Sequence, residues 1–255
     1  MELKQDASTL KENNNIEMII NTFPTLFRLA LLMALVILVG VLAVSTFYLS
    51  FGPPIVERLV DNAGENLMKF AQSLEQSRNM EDAKRIYELA TKSRFAGEFN
   101  RTYVFYRLGY IYWSEQEYEK AVECLKQSVQ SEYPQTGAYG LLIDSLLRLN
   151  KAQEALPFAE EWIENVKSKE MLADARFYLG KVHDMLNQPE EAEEAWIKGH
   201  KLLPGSKSSF ELAFFYKKQG DCKNALYYAE ACLKSGLLPT REPAIKKLIE
   251  QCKGK

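Results

Sequence analysis

Four cysteines and two histidines are the residues of this 255-residue chain that could hold a metal or form a nucleophile and base pair. Cys124, Cys222, Cys232 and Cys252 include no Cys-x-x-Cys, and His183 and His200 have no second His or Cys at ligand spacing, so no metal site is expected. The first three cysteines fall in helical patterns, where a free thiol behaves as a small hydrophobe, and no disulfide framework is specified. P-loop, HExxH, GxSxG and Gly-rich dinucleotide motifs are missing from the sequence, so no catalytic residue and no cofactor is expected. Acidic neighbours such as Glu160-Glu161 and Glu190-Glu191 are adjacent, point in different directions on a helix, and read as solvated faces. The remaining chemistry is non-covalent recognition. Tyr103, Tyr106, Tyr110 and Trp113 recur every three or four residues and form one aromatic stripe on a helix, either as core or as a binding wall.

The elements that carry this stripe follow from a second pattern. Leu108-Gly109 precedes Ala121 by twelve residues, Leu179-Gly180 precedes Ala192 by twelve, and Leu125 and Trp196 follow those alanines four residues on. Small residues let paired helices approach closely while the bulky ones fill the layer between pairs. This resembles the tetratricopeptide repeat, a helix-turn-helix unit of about 34 residues. Ala83, Ala121, Ala155, Ala192 and Ala225 extend the register with spacings of 38, 34, 37 and 33. Repeats are expected near 64–97, 102–135, 136–169, 173–206 and 206–239, in an all-α solenoid spanning 55–255. The third is the loosest, with Ile143 in place of the close-packing glycine and Pro157 in its second helix. Residues 243–252 read as an amphipathic capping helix, with Ile245, Leu248 and Ile249 on one face.

The resemblance implies a concave groove built from first helices at repeat positions 2, 5, 9, 12 and 13. In the second repeat these are Tyr103, Tyr106, Tyr110, Trp113 and Ser114. The third contributes Gly137, Gly140, Asp144, Leu147 and Arg148, its glycines leaving room for a partner; the fourth contributes Asp174, Phe177, Lys181, Asp184 and Met185. Lys207, Phe210, Phe214, Lys217 and Lys218 come from the fifth. The candidate partner-binding residues are therefore Tyr103, Tyr106, Tyr110, Trp113, Asp144, Phe177, Lys181, Phe210 and Phe214. The family's carboxylate-clamp subtype places Lys and Asn at positions 5 and 9. Here Met68 and Gln72, Tyr106 and Tyr110, and Gly140 and Asp144 stand there, so the match fails.

With 26% charged residues and a formal net charge of −2, the chain projects no basic field, and nucleic acid is not an expected partner. Residues 29–51 carry no charge and are 23 long, enough for about 34 Å of helix against a bilayer core of about 30 Å. They read as one membrane-spanning helix after a polar tail, 1–28. A cleaved signal peptide ending near Ala43-Val44-Ser45 fits less well, because the apolar run exceeds the usual 7–15 residues or so and four acidic residues precede it. Basic residues within about 20 of the span balance, Lys11 and Arg28 against Arg58 and Lys69; Arg28 abuts the run and tips the N-terminus inward, putting the solenoid outside the cytoplasm. The expectation is a single-pass membrane protein that recruits a protein or peptide partner, with no small-molecule substrate, in assembly or support of a membrane complex. A permanent structural subunit is the alternative, an enzyme is the weaker one, and self-association stays open.

Overall fold

The computed structural model describes residues 33, 35–42, 45, 46 and 62–254. Contacts divide the chain into two compact units, 1–60 and 61–255. Of the expected span 29–51, the described residues are helical and exposed, Met33 and Val36 by 63% and 68%; the rest lie outside the described residues. No helix among the described residues is long and apolar enough to cross a membrane.

The second unit is all helical among its described residues. Its helices are α1 (Ala63–Gln76), α2 (Met80–Thr91), α3 (Glu98–Ser114), α4 (Tyr118–Val129), α5 (Thr136–Arg148), α6 (Ala152–Asn165), α7 (Lys169–Met185), α8 (Pro189–Leu202), α9 (Lys207–Lys218) and α10 (Cys222–Ser235). A 3₁₀ turn, Pro239–Arg241, leads into α11 (Glu242–Lys253). Consecutive helices pair: α1 with α2, α3 with α4, α5 with α6, α7 with α8 and α9 with α10.

One backbone device makes every pair. Arg78, Gln116, Asn150, Asn187 and Gly220 have φ of 61°, 64°, 57°, 55° and 83°, and each sits in the turn between the two helices of its pair. The next residue's N–H bonds back across the turn, from Asn79, Glu117, Lys151, Gln188 and Asp221 to the carbonyls of Leu74, Tyr112, Leu146, His183 and Tyr216. These are the left-handed residue and the 6→1 bond that close a helix with a Schellman turn. Five residues after each of them stands a fully buried alanine, Ala83, Ala121, Ala155, Ala192 or Ala225. The backbone thus repeats with the same spacings as those alanines.

Close approach within a pair depends on glycine where the second helix presents a bulky side chain. A side-chain carbon on Gly109 would stand 2.6 Å from Leu125, and one on Gly180 would fall 2.2 Å from the Trp196 indole nitrogen. That nitrogen donates to the Phe177 carbonyl at 3.2 Å, which fixes the ring between α7 and α8. Pro157 sits inside an unbroken α6.

The stack also has a direction of curvature. First helices touch in series, α1 on α3, α3 on α5, α5 on α7, α7 on α9 and α9 on α11, whereas no two of α2, α4, α6, α8 and α10 touch. A stack in contact along only one row bends toward that row, so the first helices line the inner face. The core runs as one cluster from α1 into α8 and a second from Phe177 to Cys252, with half-buried Tyr178 packed against both. At the C-terminal end α11 buries Ile245, Leu248 and Cys252 against α9 and α10. Here the cysteine reading needs correction: Cys222 and Cys252 form a disulfide across a sequence separation of 30, with Cα atoms 5.3 Å apart. The turn after α10 reverses the chain and brings the two together.

Candidate functional site: the inner face

The aromatic stripe on α3 is half-buried, and its members divide by what they touch. Tyr106 lies across the start of α5: a side-chain carbon on Gly137 would be 3.3 Å from its hydroxyl. Trp113 donates its indole N–H to Asp144 Oδ2 of α5 at 2.8 Å, and Arg148 stands 3.6 Å from the same oxygen. These two aromatics join neighbouring first helices. Tyr103 and Tyr110 do not bridge in this way, and their hydroxyls hydrogen-bond to nothing among the described residues. Tyr110 is flanked by Trp113, with ring centres 6.2 Å apart, and by the Arg107 guanidinium 5.1 Å from its ring centre. Arg107 is itself held by Glu75 of α1 at 2.8 Å, a half-buried pair that sequence reasoning did not mark.

The glycines of α5 do not leave the room expected of them. Tyr106 occupies the space over Gly137, and Gly140 is closed by Trp162 and Tyr178, which lie 3.2 and 3.3 Å from where a side-chain carbon would sit. Small residues here admit the chain's own aromatics.

Farther along, Phe177 is 6% exposed and belongs to the core, a correction to its place on the open face. Lys207 lies over its ring at 5.7 Å, and Tyr178 meets it edge-on with ring centres 4.9 Å apart. Lys207 also pairs with Asp174 at 3.1 Å. Lys181 is half-buried and forms no ion pair among the described residues. Phe210 and Phe214 pack at 4.7 Å, and the Arg241 guanidinium covers Phe210 at 4.5 Å.

Where α7, α8 and α9 meet there is a cavity of about 390 Å³ lined by Asp184, Trp196, Glu211, Phe214, Phe215 and Lys218, among others. Burial pushes the Glu211 carboxyl above the ordinary carboxylate range; the charges of Lys181 and of Arg241, the latter 3.8 Å away, only partly oppose this, and Asp184 adds to it. Glu211 and Arg241 escaped sequence reasoning. Glu211 occupies a repeat position outside the expected set, and Arg241 reaches the face only through the 3₁₀ turn after the last pair. No group of three or more His, Cys, Asp or Glu among the described residues could hold a metal ion.

The inner face is therefore an elongated surface of half-exposed rings with a deeper acidic and aromatic recess toward its C-terminal end. It offers apolar contact and hydrogen bonding to an extended chain.

Residues 102–132 match the tetratricopeptide repeat family. Over 117 residues the chain is 28% identical to the human protein O-mannosyl-transferase TMTC2; the match covers 44% of this chain and only 14% of that protein. Among solved structures it is similar to PilW, a widely conserved type IV pilus biogenesis factor, with a TM-score of 0.60 and 17% identity over 76% of this chain and 87% of PilW. It is similar as well to YrrB, described as a TPR protein with an unusual peptide-binding site, with a TM-score of 0.54 and 17% identity over 70% of this chain and 90% of YrrB. At these identities the likeness to both structures establishes the fold.

Proposed function

We propose that this chain, a member of the tetratricopeptide repeat family, is a docking scaffold whose inner face holds an extended segment of a partner protein beside a membrane. The observation that carries this reading is a set of half-buried rings on two first helices, Tyr103 and Tyr110 on α3 and Phe210 and Phe214 on α9, with the Arg241 guanidinium over Phe210. Rigid aromatics of this kind give much contact area at little entropic cost and dominate binding hot spots. The peptide-binding description of YrrB agrees with it.

The membrane part rests on residues 29–51, whose uncharged length suits a bilayer and whose described portion exposes Met33, Val36 and Val41. Disulfides persist in oxidising compartments, so the Cys222–Cys252 bridge favours a solenoid outside the cytoplasm, as Arg28 does. The reading extends to a role in the assembly of a membrane complex, and the description of PilW as a biogenesis factor agrees with it.

The test is a pair of substitutions chosen for what they leave intact. Tyr110→Ala and Phe214→Ala remove rings that hydrogen-bond to nothing among the described residues. They should cost partner affinity about thirtyfold or more each, as hot-spot truncations do, while the unfolding transition stays cooperative. Glu123→Ala, on the exposed side of α4, should leave the partner bound. Undiminished co-purification of the partner with the double variant would remove the groove from the account.

A further inference from the structure

On the opposite side of the solenoid, between α8 and α10, lies a cavity of about 570 Å³ whose lining includes His200, Pro204, Tyr227, Glu230, Ala231 and Lys234. We infer that this cavity is a second binding site, one that takes a neutral carbonyl group carried on an aromatic or aliphatic body.

Ser209 is fully buried, and its Oγ accepts the Gly205 N–H at 2.8 Å. The same Oγ lies 2.8 Å from His200 Nδ1 and has no other partner among the described residues. A buried hydroxyl proton must be used, and the His200 ring is its one available acceptor, so Ser209 donates to Nδ1. His200 is then the tautomer that carries its proton on Nε2. The residue is 9% exposed, the ring lines the cavity, and nothing among the described residues accepts from Nε2–H. A nine-tenths-buried imidazole with one hand tied and one donor free is a built hydrogen-bonding point. Burial keeps the ring neutral by lowering its pKa.

The walls specify the rest. Tyr227 is 60% exposed, with its ring centre 5.8 Å from that of His200; with Pro204 and Ala231 it gives a flat apolar surface. Glu230 and Lys234 stand four residues apart on α10, both exposed, and neither forms an ion pair among the described residues. Their charges cancel at the rim, so the site favours neither a free carboxylate nor an ammonium, and a neutral donor within selects a neutral acceptor. The volume falls within the roughly 300–1,000 Å³ range of ligand cavities. An apolar residue of an extended peptide and a small aryl amide both present this chemistry.

The test is a titration of the purified full-length chain, labelled with ¹⁵N-histidine, with benzamide, benzoate and benzylammonium. The unliganded protein should show the His200 ring as the Nε2–H tautomer, and benzamide should shift that nitrogen saturably. Benzoate and benzylammonium should do so at least several-fold more weakly. His200→Leu should weaken benzamide about fivefold, the worth of one neutral hydrogen bond, while His200→Gln, which keeps a donor at similar reach, should restore most of it. Tyr227→Ala, at an exposed position that leaves the fold intact, should weaken benzamide as well. N-acetyl-phenylalanine amide binding more tightly than benzamide would assign the site to a peptide; the reverse would assign it to a small carbonyl compound. An Nδ1–H tautomer, benzoate or benzylammonium matching benzamide, or no movement at His200 up to the solubility of benzamide would each overturn the inference.

Discussion

Tyr106 and Trp113 are aromatics on the same helix and face as Tyr103 and Tyr110, yet they do different work. The first two spend their polar or apolar edges on the next first helix, at Gly137 and Asp144, and the other two keep theirs. Helical spacing showed which side of α3 these rings occupy. It could not show which of them α5 would claim, because that depends on the crossing of two helices. The difference predicts that Trp113→Phe, which keeps the ring and removes the N–H donor, destabilises the domain by about 1–3 kcal/mol in denaturant unfolding, since half-buried Asp144 loses its short partner. Tyr110→Phe should cost less than about 0.5 kcal/mol.

His200 adds a pH dependence whose sign is set by its depressed pKa. As pH falls below the ordinary histidine value of about 6.5, the unfolded chain takes up the proton before the folded one, so stability is lost on acidification, by at most about 1.4 kcal/mol per pH unit. Glu211, with its pKa raised by burial, acts in the opposite sense and loses stability as pH rises through its folded value. Unfolding midpoints at pH 7.5, 6.5 and 5.5 separate the two: His200→Gln should flatten the acid-side loss and leave the Glu211 contribution in place.

At the scale of the helix pair, the turn residue and the alanine five positions later act as one unit. Arg78 and Gln116 hold the left-handed conformation with side chains that disfavour it, whereas Asn150, Asn187 and Gly220 suit it. Gln116→Gly should therefore stabilise the domain by up to about 1 kcal/mol in denaturant unfolding. At Gly180 the same experiment runs the other way. Alanine there drives into the Trp196 ring and should cost about 1–3 kcal/mol, with loss of the ring's hydrogen bond to the Phe177 carbonyl. The Leu-Gly and Ala pattern was legible because helix pairs that approach this closely have few residue types to choose from. Phe177 was misplaced because Lys207 folds over it from the following pair, and Cys222 with Cys252 was missed because a turn of three residues, Pro239–Arg241, decides where α11 returns.

At the scale of the molecule, the disulfide clamps the capping helix onto the last pair. Opening a loop of 30 residues in the unfolded chain is worth about 3–4 kcal/mol, the loss expected for Cys222→Ser with Cys252→Ser. The remaining thiols are shielded: burial pushes Cys124 up to about 12 and Cys232 up to about 11, which leaves little thiolate to react. Protein trapped from intact cells with maleimide under denaturing conditions should therefore label at two cysteines before reduction and at four after it. Four labels without reductant would place the solenoid in a reducing compartment.

If the inner face holds the partner, a photo-crosslinking residue installed there one position at a time will capture it. Benzoylphenylalanine at Tyr110 and at Phe214, irradiated in native membranes, should each capture the same single protein, and at Glu123 on the exposed side of α4 it should capture none. Equal capture at all three positions, or none at Tyr110 and Phe214, would contradict the groove as the docking surface.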